Sequence, residues 1–183
     1  GCPYACTFCE WGDSALNKMS WFSDERAAQE FEWLARNKIH NIHAADANFG
    51  ILPRDVGLAE RVAALKERYG FPKNVHMNTA KNHADAVFRI MKRWNEVGLT
   101  IGATIAVQSL NHDTLVAIHR ENMAVTKDLE LQVQYQKLRI PTYVEFIAGL
   151  PKETFTSLTD GLCEMVSRGH RDVRCFELVL LPN

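Results

Sequence analysis

The chain has 183 residues, enough for one domain with a sizeable core, and 46% apolar with 23% charged residues fits a soluble globular protein. A net charge of −1 without a run of Lys and Arg supplies no field for gathering nucleic acid, and no apolar stretch is long enough to span a bilayer. The five cysteines do not form a secreted disulfide framework and there is no signal-peptide pattern, so the expected location is a reducing cytoplasm.

The chain opens on a loop with Cys2, Cys6 and Cys9 at spacing C-x3-C-x2-C and an aromatic, Phe8, before the last cysteine. So short a loop can turn its three sulfurs toward one point, as thiolates sharing a metal or cluster must. A closed structural zinc site takes four ligands, and iron–sulfur clusters usually take four cysteines. Three leave one position open for chemistry. A zinc site and unrelated core thiols remain alternatives at this point.

A strand followed by a helix then recurs about every 30 residues, the size of a βαβ unit. Ser23 caps a predicted helix whose first turn carries Asp24 and Glu25, with Ala27, Phe31 and Leu34 as its apolar stripe. The spacing predicts a strand over Asn41–Asp46, followed by Ala47, Asn48, Phe49 and Gly50. The next helix follows Pro53, aligns Leu58, Val62, Leu65 and Tyr69, and stops at Gly70 and Pro72.

Strand Asn74–Asn78 leads to a helix with Val87, Ile90, Met91 and Trp94 on one face. Strand Thr100–Val107 is a near-continuous apolar and small-residue run, as expected of a parallel strand buried on both faces. Two helices follow, a short one capped by Asn111 and a longer one carrying Leu131, Tyr135 and Leu138. Strand Thr142–Ala148, a helix with Phe155, Leu158, Leu162 and Met165, and strand Val173–Leu180 complete the series. Strict alternation demands a parallel sheet with right-handed crossovers. An open doubly wound sheet and a barrel both satisfy it, but no G-x-G-x-x-G or Walker loop is present.

In parallel α/β folds the working residues lie at the carboxyl ends of strands. Those ends carry Asp46 and Asn48, Asn78 and Thr79, Gln108 and Ser109, Gly149 with Glu153, and Glu177 within the last strand. Taken singly, each is as well explained by polar residues marking where strands stop.

The cysteine loop with Phe8, the Asp46-Ala47-Asn48 turn, the Gln108–Arg120 segment and the Phe146–Thr154 segment together resemble the radical S-adenosylmethionine (radical SAM) superfamily. The resemblance covers nearly the whole chain and implies a partial (β/α)6 TIM-like barrel, here lacking its first strand. On that reading residues 1–183 are a radical SAM core domain, a fragment truncated at both ends. It implies that Cys2, Cys6 and Cys9 ligate a [4Fe–4S] cluster whose fourth iron chelates S-adenosylmethionine (SAM), which is then cleaved reductively to drive a radical reaction.

The resemblance also assigns cofactor-binding positions. Asp46 and Asn48 take the place of the turn that receives the methionine amino group, although the commoner Gly-Gly-Glu wording is absent. Gln108 and Ser109 fall on the segment that holds the ribose, and Arg120 suits the methionine carboxylate because a guanidinium grips it bidentately. Ile147 packs on adenine, Gly149 lets the backbone approach, and Leu178 offers backbone groups to the adenine edge. No catalytic residue is implied beyond the cluster.

The wording of residues 1–12, and of Ala45–Gly50 with Pro53, Arg54 and Asp55, is most similar to the branch that also carries a cobalamin-binding domain. Members of that branch often transfer methyl groups to unactivated carbon or phosphorus. No histidine here stands in the D-x-H-x-x-G setting of a cobalt ligand, so cobalamin implies a domain upstream. Implied partners are a small-molecule or peptide substrate and an electron donor such as flavodoxin or ferredoxin, with no membrane and no nucleic acid. Competing functions are RNA modification by a radical SAM enzyme and a non-catalytic zinc-stabilised interaction module. Cys163 and Cys175 are expected as buried core thiols, Met91, Trp94 and Phe155 as core, and all seven histidines as surface or capping residues.

Overall fold

The computed structural model describes residues 2–12, 18–99 and 102–180. After a 3-10 turn at Glu10–Gly12 come α1 (Asp24–Arg36), β1 (Asn41–His43), α2 (Asp55–Tyr69), β2 (Asn74–His76) and α3 (Ala84–Glu96). Then follow β3 (Ala103–Gln108), α4 (His112–Ala117), α5 (Val125–Lys137), β4 (Thr142–Ala148), α6 (Phe155–Ser167) and β5 (Val173–Glu177). Among the described residues these are the five strands and six helices expected. Most strands are shorter than the apolar runs suggested, because the last residues of each run turn into the loops. Thr100 and Ile101, at the start of the predicted third strand, lie outside the described residues, as do Leu181, Pro182 and Asn183.

Contacts divide the chain into two compact units, Ser20–Ala103 with Val133–Pro141, and Gly1–Met19 with Thr104–Gln132 and Thr142–Asn183. In the first, β1 and β2 pair in parallel, with Asn41, Ile42 and His43 opposite Asn74, Val75 and His76. The pairing resumes at a parallel bridge between Phe49 and Thr79. Ser23 caps α1 by accepting the Arg26 N–H at 3.2 Å, as its position predicts. Leu58, Ala59, Val62 and Ala63 of α2 and Val87, Ile90, Met91 and Trp94 of α3 are buried. Trp94 joins the two helices, its Nε1 donating to the Ala59 carbonyl at 2.9 Å while its ring stacks on Phe49.

In the other unit the strand order is β3-β4-β5, and β5 runs parallel to β4 with Val144 opposite Val173 and Ile147 opposite Phe176. The core is Ile105, Val144, Phe146 and Met165, with Val107, Leu110, Leu158, Leu162 and Val173 packed around it. Gly161 lets α6 lie close on the sheet, since a Cβ there would stand 3.0 Å from the Phe146 ring. Thr154 starts α6 with a capping box, accepting the Ser157 N–H at 3.0 Å while Ser157 Oγ accepts the Thr154 N–H at 2.9 Å.

Three core expectations are corrected. Phe155, in the first turn of α6, is 84% exposed, for the apolar stripe Leu158, Leu162 and Met165 meets the sheet only from the second turn on. Cys163 is exposed because one residue past Leu162 rotates it by about 100° off that stripe. Cys175 is exposed because β5 is an edge strand. His170, expected at the surface, is buried, and its Nε2 lies 3.3 Å from Asp128 Oδ2.

Both sheets have one apolar face and one polar face. On β4, Val144 and Phe146 enter the core, so Tyr143, Glu145 and Ile147 lie on the other side. There Tyr143 is hydrogen-bonded to Thr104, and Glu145 stands in register with Arg174. On β1 and β2 the corresponding ladder is Asn41 hydrogen-bonded to Asn74 and His43 in ring contact with His76. Parallel strands packed on both sides are near-continuously apolar.

Candidate cofactor site

The cysteine loop is held by its middle. Thr7 N–H donates to the Ile118 carbonyl at 3.1 Å and its hydroxyl reaches the Ala117 carbonyl, so the loop docks on the end of α4. Cys9 N–H closes a tight turn onto the Cys6 carbonyl at 3.1 Å. Cys6 is buried, Cys2 and Phe8 are half-buried, Cys9 is exposed, and all five cysteines are thiols rather than disulfides.

Beside this loop stands Arg120. Its guanidinium hydrogen-bonds the Cys6 sulfur and lies near Cys9. Nε donates to Asn122 Oδ1 at 3.0 Å and Nη2 donates to the Ala106 carbonyl on β3. Burial lowers the guanidinium from its usual pKa, while the Cys6 and Cys9 sulfurs and the Glu145 carboxylate pull it back up. Among the described residues no three His, Cys, Asp or Glu side chains are gathered to hold one metal ion. The three sulfurs of the loop form no such single-ion group. Ligands to three corners of a cubane need not form one, because each binds a different iron.

Asn122 ties the strand-end residues into this group: its Nδ2 donates to the Ser109 carbonyl at 2.8 Å while its Oδ1 receives Arg120. Gln108 ends β3 in the left-handed region at φ 67°, which turns the chain sharply there. Ser109, 1% exposed, donates its hydroxyl to Glu153 and accepts the Asn111 N–H at 3.0 Å. Glu153 also receives the Ser157 hydroxyl, so its carboxylate fastens the loops after β3 and β4. Gly149 turns at φ 92°, and a Cβ there would meet Leu178 at 3.6 Å. Leu178 N–H is committed to the Ala148 carbonyl at 2.9 Å. Ile147 is half-buried on the polar face of β4. This unit thus brings Cys6, Cys9, Gln108, Ser109 and Arg120 together, with Ile147, Gly149 and Leu178 along its β4 and β5 ends.

Asp46 and Asn48 belong to the other unit. Asp46 Oδ1 accepts the Asn48 N–H at 2.8 Å, an Asx turn that fixes the loop after β1. Asn48 is 5% exposed and its Nδ2 has no hydrogen-bond partner. A buried amide donor without a partner costs free energy that a ligand can recover. The sequence reading missed Asn122 and Glu145, which are single polar residues in a loop and a strand without any spacing signal. It also assigned no role to Asp55, although an acidic residue opening a helix behind a strand-end loop was visible.

No family model matches the chain. It is similar to the cobalamin-dependent radical SAM methyltransferase TokK of Streptomyces tokunonensis, 42% identical over all of this chain and 27% of that protein. It is 41% identical to the 2-(S-pantetheinyl)-carbapenam-3-carboxylate methyltransferase of Streptantibioticus cattleyicolor, with the same coverage. The chain therefore spans about a quarter of the length of these relatives. The radical SAM methyltransferase TsrM from Kitasatospora setae, solved with cobalamin and a [4Fe–4S] cluster, shares its fold at a TM-score of 0.79 and 16% identity, over 98% of this chain and 33% of that one. Along its whole length the chain is similar to one segment of two such methyltransferases, and it shares the fold of part of a third.

Proposed function

We propose that residues 1–183 are the radical SAM core of a longer enzyme that cleaves SAM reductively and, with cobalamin bound by a domain outside this segment, methylates a small molecule. The observation that carries this reading is the cysteine loop, pinned through Thr7 so that Cys6 and Cys9 face the Arg120 guanidinium. The whole-chain similarity to two methyltransferases supports it.

The residues present fit the groups this reading needs. Soft thiolate donors suit an iron–sulfur cluster, and the partnerless buried amide of Asn48 suits a polar ligand at the loop after β1. Cys2, Cys6 and Cys9 would hold the [4Fe–4S] cluster, with Phe8 packed in the same loop. When bound, the cluster supplies the electron that breaks a carbon–sulfur bond of SAM. Asp46 receives the methionine ammonium in the turn it shares with Asn48, whose open Nδ2, a donor, suits an acceptor on the ligand. Arg120 grips the methionine carboxylate: Asn122, the Ala106 carbonyl and the Cys6 sulfur already take N–H donors, and a guanidinium carries five in all. Gln108 orients the ribose while Ser109, its hydroxyl engaged by Glu153, holds the turn in place. Ile147, Gly149 and the Leu178 carbonyl frame adenine. The protein's contribution is positioning and the exclusion of water.

No helix among the described residues is long and apolar enough to cross a membrane. We place the enzyme in the cytoplasm, where thiols stay reduced and an electron donor such as flavodoxin or ferredoxin is at hand. The test is anaerobic reconstitution of the full-length protein. It is expected to take up iron and acid-labile sulfide, to lose both in Cys6→Ala, and to transfer a methyl group from SAM only with cobalamin. Uptake of zinc without sulfide would overturn the reading.

A further inference from the structure

The loop that carries Asp46 and Asn48 is held shut by a residue outside it. Asp55, the first residue of α2, is 3% exposed, and its Oδ2 accepts the N–H of Gly50 at 2.8 Å and of Leu52 at 2.9 Å. Within the loop, Asn48 N–H donates to Asp46 Oδ1 at 2.8 Å and Ile51 N–H to the Asn48 carbonyl at 3.1 Å. Phe49 N–H donates to Asn78 and Ala80 N–H to Phe49, which stitches one side of the loop to the strand-end region after β2. The other side is tied to Asp55 through the Gly50 and Leu52 amides. Gly50 closes the remaining freedom, at φ 100° with space for a Cβ blocked by Val87 Cγ2 at 3.0 Å.

We infer that Asp55 is a positioning residue for SAM binding: by receiving both amides it sets the backbone on which Asp46 and Asn48 are displayed. The inference rests on the proposed function, which assigns the methionine end of SAM to this loop. A single carboxylate oxygen taking two backbone N–H groups is an acceptor that no neutral side chain replaces in full. Without it two buried amides lose their partner, and the turn must open to hydrate them. Burial raises the Asp55 carboxyl above its ordinary value while the Leu52 and Gly50 amides work to lower it, as an enclosed acceptor requires.

The test measures SAM affinity by anaerobic equilibrium dialysis on full-length, cluster-reconstituted protein, alongside iron and sulfide content and the far-ultraviolet circular dichroism spectrum. Asp55→Ala is expected to raise the Kd for SAM about tenfold or more, the equivalent of a lost charge-assisted hydrogen bond. Iron content and spectrum should stay those of the wild type. Asp55→Asn, which keeps one acceptor oxygen, should recover most of the affinity. Should Asp55→Ala not fold, Gly50→Ala disturbs the same turn from its other side and should weaken SAM in the same way. Wild-type affinity in the Ala variants overturns the inference, and so does a parallel loss of cluster and SAM, which marks a residue of general structure. A wild-type protein that holds its cluster but binds no SAM overturns the functional reading and this inference with it.

Discussion

Glu145 shows how one residue on a sheet face is governed by competing fields. Burial raises its carboxyl above the ordinary 4.5, and Arg174 and then Arg120 oppose that rise. A carboxyl whose folded pKa is raised binds its proton more tightly in the native state. Its stabilising contribution is complete below the ordinary value and is lost as pH climbs through the raised one. Glu145→Gln removes the buried charge, so its stability advantage should be absent under acid conditions and grow as pH rises past 4.5. Urea unfolding midpoints of both proteins at about pH 4 and about pH 7 measure the difference. An advantage that shrinks toward neutrality would mean that the two arginines outweigh burial. The residue scale is also where pattern reading is weakest: Arg120 was identifiable from its place in a family segment, but its partner Asn122 only from the fold of the loop that returns it to Ser109.

At the scale of elements, α1, α4 and α6 are fixed at their starts by side-chain caps, and α2 and α3 by a buried face. The α6 capping box satisfies backbone donors at the point where the chain leaves the strand-end loop. Thr154→Ala should cost about 1 kcal/mol, read as a lower unfolding midpoint with an unchanged denaturant slope; an unchanged midpoint would assign the start of α6 to Glu153 alone. Trp94 carries more, since it is 2% exposed, stacks on Phe49 and donates to Ala59. Trp94→Ala should cost about 3–5 kcal/mol. Because Phe49 sits in the loop after β1, the same substitution should weaken SAM binding in the full-length protein, whereas Thr154→Ala should not. Equal effects of the two on SAM affinity would contradict that separation. Capping and stripe positions were readable because Ser23, Asn111 and the Val87–Trp94 face obey local rules of helix geometry. Phe155 and Cys163 were misread by the same rules, which give the period of a stripe but not how far the neighbouring sheet extends beneath it.

For the whole molecule, the chain matches only 27% of its methyltransferase relatives, so the substrate and the cobalamin belong to the proposal rather than to this segment. One global consequence is measurable on the full-length enzyme. A ligand that binds only the folded state stabilises it in proportion to the logarithm of its concentration, by ~2.7 kcal/mol at a hundredfold excess over Kd. SAM should therefore raise the thermal midpoint of the cluster-loaded enzyme, and S-adenosylhomocysteine, without the sulfonium methyl, should raise it less. No shift with either would contradict the assignment of SAM to this domain.

The sequence by itself determined the alternation of strand and helix, the parallel class that follows from it, and the cysteine spacing that carries the family resemblance. These are properties of neighbours along the chain, where period, caps and short motifs act. Only the tertiary structure decided that Arg120 faces Cys6, that Ser109 is taken by Glu153, that Asn48 keeps a buried amide without a partner, and that Asp55 closes the Asp46 turn. Those pairings join residues through strand register and loop closure, and neither is encoded in the local pattern of apolar and polar positions.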